Sequence, residues 1–161
     1  MSLSDVVIYL AAWGIIGATL FSVFVIIVFR SGIVYAARKE DGLIKERIPL
    51  TGYLPSAGFL VLIVIFLLAA NYFGVIRRSF QPGFWGLFGL NYGLYLVLFL
   101  FDSLVIDGLV LGRWRPGFLN LPDAMGSESM REHIKKSLPV GIVFGLILAL
   151  LSSTATYYLF L

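Results

Sequence analysis

The chain has 161 residues, of which 60% are hydrophobic and only 13% are charged, and its mean hydropathy is +0.96. Charged residues make up about a quarter of an average soluble domain, so this composition excludes a soluble protein and leaves room for one small helical bundle. The chain carries a formal net charge of +3 and no cysteine, which excludes disulfides, thiolate nucleophiles and cysteine-ligated metals.

Four apolar stretches follow one another along the chain, at about 6–29, 53–76, 84–111 and 138–161. Each stretch exceeds the roughly 20 residues that a helix needs to cross a hydrocarbon core of about 30 Å. The start of the chain has no basic segment and no small-residue cleavage site after a short apolar core, so we expect the first helix to be retained. The pattern predicts an all-α integral membrane four-helix bundle with up-down topology, in one transmembrane domain over 1–161.

The basic residues are concentrated in two of the three loops. The loops at 30–52 and 112–137 carry five basic residues each, ten of the chain's 12, whereas the intervening loop has only Arg77 and Arg78. Because loops rich in lysine and arginine stay in the cytoplasm, we predict that both long loops are cytoplasmic and that both termini lie on the outer side of the plasma (inner) membrane. We expect these loops to contact anionic lipid headgroups. Nucleic acid is not an expected partner, because the basic residues are interleaved with acidic ones.

The third predicted span carries the chemistry of the chain, because it holds two aspartates. A carboxylate at membrane depth costs a few kcal/mol even on the mildest insertion scale. At 100° per residue Asn91, Tyr95 and Asp102 fall within about 40° of one another, and Ser103 and Asp107 form an i, i+4 pair beside them. These five residues are the candidate intramembrane polar site.

The two aspartates are expected to have different roles. Asp107 lies about one turn from the predicted loop, where it can pair with Arg113, Arg115 or Arg30, and these arginines can also contact headgroups. No basic residue is expected at the depth of Asp102. This carboxyl is therefore protonated, hydrogen-bonded to a tyrosine or serine of another helix, or exposed to a water-filled cavity. A structural and a functional role remain open.

No catalytic, metal or cofactor site is predicted. The single histidine, His133, falls in a charged loop, and metal sites need several convergent ligands.

Small and polar residues predict how the helices pack. Gly89 and Gly93, and also Gly141 and Gly145, form G-x-x-x-G spacings that allow close backbone approach, either within the bundle or in a homo-oligomer. Asn71, at the outer half of the second helix, is expected to meet Asn91 of the third.

The segment Leu-Val-Ile-Asp-Gly-Leu-Val-Leu-Gly-Arg-Trp-Arg-Pro-Gly-Phe-Leu-Asn-Leu-Pro at 104–122 resembles small prokaryotic membrane proteins with four spans. This resemblance implies the fold and no activity. The four-span glutathione and eicosanoid enzymes have a similar length, but their arginine-rich second-helix motif cannot be placed here. The quinone-coupled disulfide-forming proteins are excluded by the missing cysteines.

Three functions are compatible with the sequence. The favoured one is a non-enzymatic accessory or assembly protein that contacts a membrane protein partner or anionic lipid, because the chain has no catalytic constellation. The second is a transporter or ion-conducting oligomer that uses Asp102, which requires a polar cavity reaching this residue. The third is a membrane-embedded enzyme acting on a lipid or isoprenoid, in which the carboxylates and arginines converge in one pocket.

Overall fold

The computed structural model describes residues 2–33, 35, 47–76, 82–119, 121 and 127–160. Within these ranges the chain is helical and has no β-strand. The four α-helices are α1 (Leu3–Arg30), α2 (Leu54–Asn71), α3 (Phe84–Leu100) and α4 (Ser127–Phe160). Two of them continue as π-helix: α2 over Tyr72–Ile76, and α3 over Phe101–Trp114, which is called the π segment below. Single 3₁₀ turns lie at Leu50–Tyr53 and Gly117–Leu119.

The four helical units are long and apolar enough to cross a membrane, which confirms the predicted fold class of an all-α multi-pass protein. The spans are Leu3–Arg30, Leu50–Val75, Phe84–Trp114 and Met130–Phe160. Large apolar side chains face outward along them, for example Ile15 at 70% exposure and Leu151 at 61%. Such surface is stable against lipid tails, because lipid, unlike water, does not penalise exposed apolar groups.

The bundle has up-down topology, because alternate helix ends meet at each end. At one end, Phe84 at the start of α3 packs edge-on against Tyr157 near the end of α4, with ring centroids 5.9 Å apart. At the other end, the last turn of α1 and the end of the π segment lie with the first turns of α2 and α4. We call this second end the long-loop end, since residues 31–53 and 115–126 connect the helices there.

The helix α1 begins three residues earlier than predicted because a capping box closes its first turn. The Ser2 hydroxyl accepts the Asp5 backbone N–H at 3.2 Å, and the Asp5 carboxylate accepts the Ser2 N–H at 2.8 Å. These bonds satisfy amide groups that have no partner within the helix, so the helix starts at Leu3.

The fourth helix differs most from the prediction. It begins at Ser127 and continues through Pro139, whereas the sequence predicted a helix from 138 onward with Pro139 in its first turn. A proline inside a helix lacks the N–H for one backbone hydrogen bond. Nearby, the Ser137 hydroxyl donates to the Ile134 carbonyl at 3.3 Å. Residues 127–137 were predicted as a loop in which Ser127 to Lys136 could form a short charged helix, and the structure makes them part of α4 itself.

The predicted loops fall partly outside the described residues. Most of the loop at 30–52, including Arg38, Lys39 and Lys45, lies there, as do Arg77 and Arg78 of the intervening loop.

Two glycines of α4 allow this helix to approach α3 closely. A Cβ atom at Gly145 would overlap the ring of Tyr95, and one at Gly141 would overlap the ring of Phe99. The rings of Tyr95 and Phe99 stack with an interplanar angle of 9° and lie across this glycine surface. The G-x-x-x-G spacing in α4 therefore serves packing within the bundle.

The G-x-x-x-G spacing in α3 has a different environment. Gly89 has no atom within 4 Å of its ideal Cβ position, and Gly93 has ordinary contact with Leu10 at 3.5 Å. Gly89 therefore lies on an open face of the helix.

Gly145→Ala is expected to destabilise the protein by about 1 to 3 kcal/mol, because the added methyl group overlaps the Tyr95 ring. Gly89→Ala is the matched control. It is expected to be neutral or to stabilise by up to about 1 kcal/mol, since alanine is the better helix former and the site is open. Thermal unfolding in mild detergent measures both effects, and an equal loss in the two variants would contradict this packing.

Candidate functional site

A cleft of about 330 Å³ opens between all four helices at the long-loop end. It is lined by Phe24, Val25, Val28 and Phe29 of α1, by Pro55, Ser56 and Phe59 of α2, by Asp102, Ile106, Asp107 and Leu111 of the π segment, and by Met130 and His133 of α4. The lining is apolar and aromatic apart from Ser56, the two aspartates and the histidine. Both intramembrane carboxylates thus face one cleft.

The π segment is the reason that Asp102 and Asp107 share this face. In an α-helix, two residues five positions apart are rotated by about 140° from each other. In a π-helix the backbone bonds join residues five apart, which stacks such residues on nearly the same side. The last of these bonds runs from the Arg115 N–H to the Val110 carbonyl at 2.8 Å, and Arg115 ends the helix in the left-handed conformation with φ of 47°.

Gly112 lies close to two neighbours in this segment. A Cβ atom at this position would lie 3.0 Å from the carbonyl oxygen of Asp107 and 3.4 Å from Met130. Glycine therefore allows the helix to follow its wider turn while α4 passes beside it.

Asp107 pairs with His133, not with the arginines expected from the sequence. Its Oδ2 lies 3.8 Å from the His133 Nε2, and the two side chains are 19% and 60% exposed. The predicted partners Arg30 and Arg113 are exposed outside the cleft. Arg115 is half-buried and donates to the Leu121 carbonyl at 3.4 Å. Continuation of α4 before Pro139 explains the difference, because it brings His133 to the π segment.

Asp102 has neither a hydrogen bond nor an ion pair with any residue that the structure describes. Its side chain lines the cleft. Of the environments considered from the sequence, exposure to a cavity matches this position, whereas a hydrogen bond to a tyrosine or serine of another helix is not formed. The carboxyl is therefore available to a group that enters the cleft.

The other three residues of the predicted polar site do not line the cleft, and two of them bind α4. Asn91 is fully buried and donates from Nδ2 to the Ser153 hydroxyl at 2.7 Å. The Tyr95 hydroxyl donates to the Gly141 carbonyl at 2.9 Å. Ser103 is buried at 2% exposure. The predicted polar face is split because the α-helical register ends at Leu100, between Tyr95 and Asp102.

Asn71 and Asn91 do not pair with each other as the sequence predicted. Asn71 donates from Nδ2 to the Thr156 hydroxyl at 2.8 Å, one turn along α4 from the Ser153 partner of Asn91. The oxygen atoms of both amide groups have no hydrogen-bond partner among the described residues. Each asparagine therefore bonds to its own hydroxyl group on α4 and not to the other asparagine.

Sequence reasoning missed the aromatic wall of the cleft and the histidine at its mouth. The wall is formed by Phe24, Phe29 and Phe59, which the sequence presents as ordinary apolar residues of two spans. The sequence signal for His133 was the segment that contains it, because this charged segment before Pro139 has a helical composition. Helices tolerate an interior proline where neighbouring groups satisfy the backbone.

No group of three or more histidine, aspartate or glutamate side chains that could hold a metal ion occurs among the described residues. Comparison with known proteins returns no significant match to a family model, a curated protein or a solved structure. The resemblance of residues 104–122 to small four-span membrane proteins therefore gains no support from a matching family.

Asp102→Asn is expected to leave the stability unchanged or to raise it, because the carboxyl has no partner among the described residues whose loss would cost energy. Asn91→Ala is the contrasting variant. It is expected to lose about 0.6 to 1.7 kcal/mol, the usual range for interhelical hydrogen bonds in membranes. Thermal unfolding in mild detergent compares them. A loss of about 2 kcal/mol in Asp102→Asn would make this carboxyl a structural hydrogen-bonding group instead.

Proposed function

We propose that this membrane protein binds a positively charged group in the cleft at its long-loop end, with Asp102 and Asp107 as the binding side chains. The observation that supports this most strongly is that Asp102 faces the cleft without a hydrogen bond or ion pair to any described residue. An unpaired carboxyl at membrane depth is costly, and such residues commonly mark binding sites for ions or substrates. A bound cation supplies the missing partner.

The packing of the opposite half of the bundle favours binding over conduction. Phe21, Leu67 and Leu94, at most 1% exposed, form a tight core there with other apolar side chains. Among the described residues, this core separates the cleft from the opposite end of the bundle. A binding protein, or a transporter in a state open to one side, agrees with this arrangement better than a continuous pore does.

The lining of the cleft also weighs against the enzyme considered from the sequence. That function needs arginines beside the carboxylates to hold a phosphate group. Arg30, Arg113 and Arg115 are not among the lining residues. The cleft is instead lined by His133 and mostly by apolar side chains beside the carboxylates.

The surface around the cleft supports the partner expected from the sequence. The π segment carries Trp114, which is 68% exposed. Exposed basic side chains lie on the π segment and on the first turns of α4; they are Arg113, Arg131, Lys135 and Lys136. We propose that this rim contacts anionic headgroups, as expected for an accessory protein, since each basic residue near such a surface contributes about 1 kcal/mol. A membrane protein partner and a homo-oligomer stay predictions.

We further propose that the protein lies in the plasma (inner) membrane with its long-loop end in the cytoplasm and both termini outside. The concentration of basic residues at that end supports this orientation. Because the chain lacks cysteine, single cysteines can report it directly. We expect a membrane-impermeable maleimide to label Ser4→Cys in intact cells and to label Lys135→Cys only after lysis. The reverse pattern would contradict the orientation.

Binding of a cationic group is tested with methylammonium chloride and protein purified in dodecyl maltoside, a detergent without charge. We expect the melting temperature of the wild type to rise by a few degrees as methylammonium saturates the site, because a ligand that binds only the folded state stabilises it. The double variant Asp102→Asn, Asp107→Asn is expected to show no such rise.

Glu132→Gln is the control for this experiment. It removes a carboxylate one residue from His133 whose side chain is 70% exposed and pairs with Lys136 at 3.8 Å, away from the cleft. This variant is expected to respond as the wild type does. An identical rise in the wild type and in the double variant would show that methylammonium acts elsewhere and would refute the proposed function.

A further inference from the structure

We infer, on the basis of this proposed function, that the occupant of the cleft is an amphipathic ammonium, a positively charged nitrogen that carries an apolar chain. The cleft has two chemically different walls. Asp102 and Asp107 supply negative charge from the π segment, and Phe24, Phe29 and Phe59 supply aromatic surface from α1 and α2. One ligand that carries both a cation and hydrocarbon satisfies both walls.

The aromatic wall suits an ammonium group as well as its chain. Phe59 packs against Phe24 with ring centroids 6.3 Å apart and against Phe21 with centroids 4.9 Å apart, which fixes the ring of Phe59 in place. Aromatic faces attract cations within about 6 Å, and more strongly where water is excluded. A cation held by the aspartates can therefore also be stabilised by the rings that face the same cleft.

The size of the cleft argues against a bare inorganic ion. A volume of about 330 Å³ lies at the lower end of the roughly 300 to 1,000 Å³ range of small-molecule pockets, whereas a metal ion is held by several converging ligands. The described residues contain no group of three acidic or histidine side chains that could hold a metal ion. The cleft therefore has room for an apolar chain beside the charge.

The mouth of the cleft allows such a ligand to enter. His133 is 60% exposed and its contact with Asp107, at 3.8 Å, is long for a hydrogen bond, so an ammonium can replace it at small cost. The same chemistry can come from the amine headgroup of a phospholipid or from a free amphipathic amine. The experiment below separates these two sources.

The test compares methylammonium, butylammonium and octylammonium by thermal unfolding in dodecyl maltoside, with concentrations corrected for partitioning into empty micelles. We expect the apparent affinity of the wild type to rise about three-fold or more for each methylene that enters the cleft. Asp102→Asn and Asp107→Asn are each expected to weaken octylammonium binding about ten-fold, so the test does not depend on folding of the double variant. Glu132→Gln should bind as the wild type does.

Two lipid additions identify the source of the ammonium. If phosphatidylethanolamine in mixed micelles stabilises the wild type and competes with octylammonium, while phosphatidylglycerol does neither, the ligand is a lipid headgroup. If neither lipid competes and octylammonium still binds through the aspartates, the ligand is a free amine. Both outcomes support an amphipathic ammonium.

Three outcomes would overturn the inference, and one of them separates it from the proposed function. If methylammonium and octylammonium bind equally well and both depend on the aspartates, cation binding is supported. The inference that the ligand carries an apolar chain is then refuted. Equal stabilisation of the wild type and the aspartate variants by octylammonium would show a general effect of an amphiphile. No response of the wild type to any of the three amines, methylammonium included, would remove the proposed function as well.

Discussion

Close approach of α3 and α4 at Gly141 and Gly145 is the contact on which the other features of the bundle depend. Lipid gives helices no hydrophobic reason to associate, so side-chain packing and interhelical hydrogen bonds must hold them together. Here Tyr95 and Phe99 fill the surface that the glycines leave free, and the Tyr95 hydroxyl reaches the Gly141 carbonyl at 2.9 Å. This contact fixes α4 along its length and so positions its first turns against the π segment.

The cleft follows from the same contact. Because α4 is held against α3, its extension before Pro139 carries Met130 and His133 to the long-loop end, where they complete the lining. The change from α-helix to π-helix after Leu100 then turns Asp102 and Asp107 toward a common space. A π-helix is rare and frequently marks a functional site, which agrees with the two carboxylates in this segment.

Much of the fold was predictable because it depends on one local property, hydropathy over about 20 residues. Four long apolar helices agree with the predicted spans. The ends of these helices differ from the prediction where local hydrogen bonds determine them, as at the capping box of Ser2. The site was predictable only in part. Both aspartates were conspicuous as charges among apolar residues, but Asn91 and Tyr95, grouped with them by α-helical geometry, bind α4 instead. No sequence pattern indicated the change of helix type that separates them.

The sequence by itself determined the class of the protein, the number of its spans and the presence of two carboxylates at membrane depth. Composition and hydropathy suffice for these features, since each segment must be stable in the bilayer through its own apolar side chains and its own backbone hydrogen bonds. Only the tertiary structure decided that the carboxylates share one cleft, that phenylalanines of α1 and α2 also line it, and that His133 lies beside Asp107. These features depend on the rotation of each helix about its axis, which is set by packing between helices far apart in the chain.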